Sequence, residues 1–182
     1  MQKIETIFDR DERFRVTPKI RAGTEWVFAN EGIATEKVDG TNVRLSIQSG
    51  KVIRVEKRRN PTTEEKAQGI EPDYIDAHRD APEDKHIFRA VDGTDTATWP
   101  DGAWPCEAIG PKIQGNPLGL QNPICYPFSF RPIEIPSVPR TYEGLRAFFK
   151  TFDSIYSPGH KAEGIVFHHP DGRMAKIKAR DF

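Results

Sequence analysis

Apolar and polar side chains alternate along two neighbouring runs of the chain, residues 43–47 and 51–57. This two-residue period is typical of β-strands that bury one face and expose the other. Ser49 and Gly50 separate the runs, and glycine adopts the positive φ angles that tight hairpin turns require. The pattern therefore predicts an antiparallel hairpin over residues 41–57.

The C-terminal part of the chain predicts one amphipathic helix and a second hairpin. Thr141 is a suitable N-cap, and Glu143 suits the positive end of the helix dipole. Apolar residues then recur along one helical face: Tyr142, Leu145, Phe148, Phe149 and Phe152. Strand-like patterns at residues 164–167 and 174–178 flank a turn-forming run at 169–172, which predicts the hairpin.

The middle of the chain, residues 60–101, is rich in Pro, Asp, Glu and Gly and predicts a long, partly irregular segment. Its one strand-like island is residues 86–91. Residues 104–109 predict another short strand, followed by loop-forming Gly and Pro. Because strands do not alternate regularly with helices, the chain predicts an α+β fold with antiparallel strands.

Size and composition set the broad class of the protein. The 182 residues suit a single domain spanning residues 1–182, with 30% charged and 36% hydrophobic residues, as in globular proteins. The formal net charge of zero gives no overall indication of a nucleic-acid protein. Cys106 and Cys125 form no paired cysteine motif, which predicts reduced thiols. No signal peptide or membrane span is apparent, so a cytoplasmic location is expected.

The run Lys37-Val38-Asp39-Gly40 is the first candidate for chemistry, because a lysine held at a strand edge can present its amine to a phosphate. An amine is nucleophilic only when neutral, so nearby cations and a metal ion are expected to keep it deprotonated. Lys176 and Lys178, two residues apart in a predicted strand, share one face and could supply this charge. In isolation the motif could equally be an exposed lysine before a turn.

Further residues strengthen the first interpretation by their order along the chain. Glu107 lies in Cys106-Glu107-Ala108-Ile109-Gly110, Glu163 begins Glu163-Gly164-Ile165-Val166, and Lys176-Ile177-Lys178 follows. This ordered set resembles the motifs of the covalent nucleotidyltransferase superfamily, which contains DNA ligases, RNA ligases and capping enzymes. The runs 35–42 and 107–117 look most like those of the small ATP-dependent RNA ligases.

The resemblance implies an adenylation domain of antiparallel sheets flanked by helices, ATP-grasp-like in type. It implies that Lys37 attacks ATP to form a lysyl-AMP, that AMP passes to a 5′-phosphate RNA end, and that a 3′-hydroxyl then displaces AMP. The implied cofactors are ATP and Mg²⁺, with Mn²⁺ as an alternative. The implied partner is RNA with 5′-phosphate and 3′-hydroxyl ends, and no membrane.

The resemblance also assigns roles to individual residues. Lys37 and Asp39 belong to the nucleophile motif, and Glu163 lies by the metal. Lys176 and Lys178 hold phosphates. The remaining residues are implied to contact the nucleotide: Glu107 at the ribose, Asn42 near the phosphates, Glu36 beside the nucleobase, Arg58 at a phosphate or the ribose, and Phe128 or Phe130 stacked on adenine.

The mode of RNA binding and two alternative functions stay open at this stage. The short flanks leave no room for an appended oligonucleotide-binding domain, so RNA is expected to bind local cations or a protein partner that supplies extra grip. These cations are Arg54, Lys57, Arg58, Arg59 and Arg180. The chain could instead seal DNA or modify another acceptor. It could also be a non-catalytic nucleic-acid binding module.

Overall fold

A computed structural model describes residues 4–128, 130 and 132–182. Within these residues the strands are β1 (Glu5–Thr6), β2 (Phe8–Arg10), β3 (Val16–Ile20), β4 (Ile33–Lys37), β5 (Thr41–Gln48), β6 (Lys51–Arg59), β7 (Asp73–Asp76), β8 (Gly102–Ile109), β9 (Ile124–Pro127), β10 (Gly164–His168) and β11 (Met174–Lys178). The α-helices are α1 (Glu25–Phe28), α2 (Thr63–Ala67), α3 (Lys85–Asp92) and α4 (Tyr142–Thr151).

The described chain divides into two compact units. Unit A comprises Asp39–Pro132, and unit B comprises Ile4–Val38 together with Ile133–Phe182. Unit A is therefore an insertion in the sequence of unit B. The expectation of a single domain stays a prediction.

Unit A is built on an antiparallel five-stranded sheet in the order β7-β6-β5-β8-β9. The predicted hairpin is confirmed, because β5 and β6 pair through a turn in which Ser49 and Gly50 have φ angles of 50° and 72°. One face of the sheet carries the core, with Val43 and Leu45 fully buried. Helix α3 covers this face and contributes to the same cluster. Both cysteines lie in this sheet as free, buried thiols.

The strand predicted at residues 86–91 is wrong, because this segment is helix α3. Its buried residues are Ile87, Phe88, Ala90 and Val91. Spacings of one, three and four residues place all of these side chains on one helical face, whereas alternation every second residue is absent. A 3-10 turn that begins at Pro82 precedes the helix. The same acidic segment also contains strand β7, which the sequence pattern did not reveal.

Unit B contains a four-stranded sheet in the order β1-β11-β10-β4 and a separate two-stranded sheet, β2-β3. The C-terminal predictions are confirmed here. Strands β10 and β11 form an antiparallel hairpin, and helix α4 begins after Thr141, whose Oγ1 accepts a hydrogen bond from Gly144 N at 3.1 Å. The sheet and helix share a core that includes Leu145, Ile165 and Ile177, each fully buried.

The α+β class with antiparallel sheets is confirmed, with β1 and β11 as a parallel exception. The ATP-grasp-like detail stays a prediction. Within the described part of the chain, no helix combines the length and the apolar character that crossing a bilayer would need.

Candidate active site

Two of the predicted lysines share one carboxylate in unit B. Lys37 on β4 lies opposite Gly164 on β10, which in turn lies opposite Lys178 on β11. Directly opposite residues of antiparallel strands project to the same face. Glu163 joins the row, because its Oε2 is 2.5 Å from Lys37 Nζ and its Oε1 is 2.5 Å from Lys178 Nζ. The structure therefore brings the predicted nucleophile, metal residue and phosphate lysine together.

Burial strengthens the interactions of this row. The side chain of Glu163 is only 8% exposed, and those of Lys37 and Lys178 are 20% and 16% exposed. Two ammonium groups around one carboxylate leave a net positive charge in a partly buried place, which favours an anion such as phosphate. Both oxygens of Glu163 are therefore paired with lysines, Oε2 with Lys37 and Oε1 with Lys178.

Gly164 allows this row to form. A Cβ at this position would lie 2.2 Å from the carbonyl oxygen of Ile177 and 2.8 Å from the Cα of Lys178. Backbone atoms cannot yield at such distances, so the close pairing of β10 with β11 requires glycine here. The missing side chain also leaves the space between Lys37 and Lys178 open.

Lys176 lies one row further along the same face. It pairs with Val166 on β10, and Val166 pairs with Thr35 on β4. Because Lys176 and Lys178 are two residues apart in β11, both project to the side that carries Lys37. The four residues predicted to act on phosphates and metal therefore occupy two adjacent rows of one sheet face.

Metal binding is predicted for Glu163. Among the described residues, no group of three or more His, Cys, Asp or Glu side chains could enclose a metal ion. Mg²⁺ usually takes only one or two carboxylates and completes its shell with water and substrate phosphates. A single buried carboxylate fits this second kind of site and not an all-protein cage.

Glu36 lies on the other face of β4 from Lys37. It pairs with Ile165, a core residue, and is 4% exposed. Its Oε2 accepts a hydrogen bond from Ile155 N at 2.8 Å, whereas its Oε1 is buried without a partner among the described residues. Burial raises the pKa of this carboxyl, and hydrogen bonds from Ser154 and Ile155 oppose that shift. One buried oxygen is thus available to a ligand atom that can donate.

Asp39 and Gly40 belong to the link between β4 and β5, and both are in unit A. A Cβ on Gly40 would lie 2.3 Å from the carbonyl oxygen of Ala108. Glycine is therefore required for the close approach of this link to β8. Asp39, which precedes Gly40, is half-buried.

A polar row crosses the sheet of unit A on the face opposite its core. Asn42 on β5 pairs with Glu107 on β8, and Asn42 Nδ2 donates a 3.4 Å hydrogen bond to Glu107 Oε2. Glu107 pairs in turn with Tyr126 on β9. On the other side, Arg58 on β6 pairs with Tyr74 on β7. Three predicted nucleotide contacts, Asn42, Arg58 and Glu107, thus belong to one polar sheet face.

Tyr74 is a member of this row that the sequence did not reveal. Its hydroxyl donates a 2.7 Å hydrogen bond to Asn42 Oδ1, so the Asn42 amide turns its NH₂ group towards Glu107. The ring is 8% exposed and lies 4.4 Å below the guanidinium of Arg44. Burial raises the pKa of the Tyr74 phenol to about 12, which keeps it a donor. No sequence pattern singles out Tyr74, because it is the one buried residue of its four-residue strand.

The run Lys57-Arg58-Arg59 offered several candidate cations, and their contacts differ. Lys57 Nζ lies 2.6 Å from the buried Asp84, and Arg59 Nη1 lies 2.7 Å from Glu65. Arg58 is half-buried, and its Nε is buried without a hydrogen-bond partner among the described residues. Arg58 is therefore the cation of this run best suited to an added anionic ligand.

The two candidate aromatic residues also differ. Phe130 packs against Trp99 and Trp104, with ring centroids 5.0 Å and 4.8 Å away, so it belongs to the core of unit A. Phe128 follows the end of β9 and is half-buried. Of the other predicted RNA-binding cations, Arg54 pairs with Asp76 at 2.7 Å, whereas Arg180 is exposed.

Comparison with known proteins finds solved structures of similar fold but does not assign the chain to a family. No protein-family model matches the sequence, and no curated protein matches it either. Among solved structures, the chain is similar to several of an RNA ligase from Naegleria gruberi. A variant with ATP and Mn has a TM-score of 0.51 at 15% identity, over 99% of this chain and 61% of the other.

Two further structures of that ligase give the same result. An apo variant has a TM-score of 0.53 at 15% identity, over 98% of this chain and 61% of the other. A variant with AMP and Mn has a TM-score of 0.52 at 15% identity, over 98% and 62%. The chain therefore spans about three fifths of the length of these proteins, and its fold resembles the fold of that RNA ligase.

Proposed function

We propose that this chain is an ATP-dependent RNA ligase in which Lys37 is the adenylated nucleophile. The observation that carries the proposal is the row in unit B, in which Lys37 and Lys178 from different strands contact the buried carboxylate of Glu163. These contacts are not expected of a surface lysine that merely precedes a turn. The likeness of the fold to an RNA ligase agrees with this interpretation.

In the first step, Lys37 Nζ gives up its proton to water, and the lone pair of the neutral amine attacks the α-phosphorus of ATP. A phosphorus–nitrogen bond forms, the bond between the α-phosphorus and its bridging oxygen breaks, and pyrophosphate leaves with the electron pair. Lys176 and Lys178 neutralise the charge that develops on the phosphate oxygens. Asp39 follows the nucleophile in the same motif.

ATP and a divalent cation are the proposed cofactors. The Naegleria gruberi structures contain ATP with Mn and AMP with Mn. In this chain Glu163 would hold the metal ion, which is proposed to be Mg²⁺ or Mn²⁺. When bound, the ion would neutralise the phosphates as pyrophosphate leaves. The lysines would then bind phosphate oxygens in exchange for the carboxylate.

The polar row of unit A supplies suitable nucleotide contacts. The Glu107 carboxylate can accept hydrogen bonds from ribose hydroxyls, and the Asn42 amide and the Arg58 guanidinium can donate to phosphate or ribose oxygens. We propose Phe128 for stacking on adenine, because Phe130 is committed to the core. The unpartnered oxygen of Glu36 could accept from the exocyclic amine of adenine.

The proposed acceptor is RNA. An oxygen of its 5′-phosphate attacks the lysyl-AMP, which forms a pyrophosphate bond and releases the Lys37 amine. A 3′-hydroxyl then attacks the 5′-phosphorus, which joins the strands and releases AMP. Sealing of DNA is the second candidate. A non-catalytic binding module is disfavoured, because it would not need the lysines and carboxylate together.

Incubation of the protein with ATP, Mg²⁺ and 5′-phosphorylated strands tests the acceptor. Matched substrates are a nicked RNA duplex, a nicked DNA duplex and single-stranded RNA with a free 3′-hydroxyl. We expect joined RNA and an RNA-adenylate intermediate, both absent from Lys178→Ala. Sealing of nicked DNA alone would refute the RNA proposal. Sealing only after addition of a cell extract would identify a protein partner as necessary.

A further inference from the structure

The hairpin formed by β2 and β3 in unit B carries an exposed aromatic ring at its tip. Phe14 is 75% exposed, and its φ angle is 62°. Bulky side chains rarely adopt positive φ, so this conformation costs free energy that the fold must offset. Burial of the ring does not offset the cost, because the ring points to solvent.

Hydrogen bonds hold the tip in this shape. Asp11 Oδ1 accepts from the backbone N–H groups of Arg13 and Arg15, each at 2.9 Å. Phe14 N donates to Asp11 O at 3.0 Å, and Asp11 N donates to Arg15 O at 2.8 Å. The ring is therefore presented on a pre-organised turn, which lowers the entropic cost of binding.

Arginines flank the ring in the sequence and also occur in the segment that the hairpin contacts. Arg13 and Arg15 flank it in sequence and are exposed. Arg15 Nη1 donates to the backbone carbonyls of Arg180 and Phe182, which brings the exposed Arg180 segment to the hairpin. We name Arg13, Phe14, Arg15 and Arg180 the tip patch. Of the two acidic side chains at the tip, Asp11 is used on backbone amides, and Glu12 is exposed.

The hairpin is connected to the lysine row within the same unit. Arg10 Nη2 lies 2.9 Å from Asp181 Oδ1, and Asp181 Oδ2 accepts a 3.3 Å hydrogen bond from Lys178 N. The 3-10 turn Ala179–Asp181, which follows Lys178 directly, thus joins the hairpin to the end of β11. The tip patch and the lysine row are therefore linked through one short segment of unit B.

We propose that the tip patch binds single-stranded RNA, with Phe14 stacked on a base and the arginines on the adjoining phosphates. Stacking on an aromatic ring combined with cationic backbone contacts is how proteins hold single strands without reading their sequence. The choice of RNA rests on the proposed ligase function.

Fluorescence anisotropy with a short, labelled, 5′-phosphorylated single-stranded RNA tests this inference in the full chain. Phe14→Asn removes the ring but suits positive φ, so the variant should fold and bind roughly fivefold to a hundredfold more weakly. Phe14→Tyr restores a stacking surface and should bind like the wild type. Arg13→Ala and Arg180→Ala should each reduce the dependence of log Kd on log salt by about 0.7.

The matched control is Arg146→Ala, which removes an exposed arginine of α4 and should leave RNA binding unchanged. The inference would be overturned if Phe14→Asn bound RNA as tightly as the wild type, or if the wild type did not bind RNA. It would also be overturned if Phe14→Asn changed only the self-association of the protein and not its RNA binding. Lysyl-AMP formation by the wild type is measured separately. If RNA binding depends on Phe14 but no lysyl-AMP forms, the inference about the tip patch stands and the proposed catalytic function is refuted.

Discussion

The Tyr74 hydroxyl fixes which way the Asn42 amide points, since it donates to Oδ1 and leaves Nδ2 for Glu107. An amide without such a partner can turn over and exchange its donor for its acceptor. Tyr74 is thus a positioning residue for two proposed nucleotide contacts. Its buried ring and the guanidinium of Arg44 keep the hydroxyl in place.

Tyr74→Phe should raise the KM for ATP in lysyl-AMP formation by about twofold to tenfold, the range for one hydrogen bond, with little change in kcat. Tyr142→Phe is the matched control, because Tyr142 also donates through its hydroxyl, to Val16 O at 3.1 Å. The control should leave KM unchanged. An equal loss of kcat in both variants would argue for general destabilisation.

Glu36 gives a prediction about pH. Burial raises its pKa from an ordinary value near 4.5, so the folded state prefers the protonated form. The stabilising contribution is fully present below the unfolded pKa and is lost as the pH rises through the folded pKa. Glu36→Gln mimics the protonated form at every pH.

The free energy of unfolding in urea, measured for Glu36→Gln relative to the wild type, should therefore be higher at pH 8 than at pH 4. Glu64→Gln, on the exposed surface of α2, is the control and should show no such trend. A constant difference in unfolding free energy between wild type and Glu36→Gln across this range would contradict a buried, ionisable Glu36.

At the scale of elements, the pairing of β10 with β11 sets the spacing of the lysine row, and Gly164 sets the pairing. Gly164→Ala should destabilise the protein by about 1–3 kcal/mol, because the new Cβ would overlap the backbone at Ile177. It should also slow lysyl-AMP formation, because Lys37 and Lys178 would move apart.

Gly172→Ala, in the turn of the same hairpin, is the control for Gly164→Ala. Its φ is 93°, but a Cβ there meets no atom within 4 Å, so only backbone strain is added. Adenylation should survive in this variant. If Gly164→Ala is as stable and active as the wild type, the row does not depend on this close approach. Thermal unfolding and single-turnover rates measure both effects.

The elements that could be predicted from the sequence are those whose pattern is local. Residues 41–57 alternate cleanly around a turn, and α4 combines an N-cap with a helical stripe, so both were found. Helix α3 was mistaken for a strand, because a short apolar run fits either period. Strand β7 was hidden, because only Tyr74 of its four residues is buried. The strand forms through its pairing with β6, which the local sequence does not show.

The residues of the candidate site also differ in whether they could be predicted from the sequence. Lys37, Glu163 and Lys178 could be selected from the order of their motifs, and the strand register explains why they meet. Tyr74 could not be selected, because its role depends on a hydrogen bond to a residue 32 positions away. The proposed role of Phe14 likewise depends on a positive φ angle, which no sequence pattern predicts.

At the scale of the whole molecule, the proposed functions are distributed over two compact units. The lysines proposed to bind phosphate belong to unit B together with Glu163 and the tip patch, and the polar row of Asn42, Tyr74 and Glu107 belongs to unit A. The nucleophile motif itself crosses the boundary, since Lys37 belongs to unit B and Asp39 to unit A. Substitutions in each unit should therefore affect different parts of one reaction.

Transfer of label from α-labelled ATP to the protein, in the presence of a divalent cation and without RNA, tests the central claim most directly. The wild type should acquire a label that survives alkali and is released by acid, as a phosphorus–nitrogen bond requires, and should release pyrophosphate. Lys37→Ala should acquire none, and Lys37→Arg should acquire none although it keeps the positive charge beside Glu163. A wild type that stays unlabelled, or a Lys37→Ala variant labelled like the wild type, would contradict the assignment of Lys37 as the nucleophile.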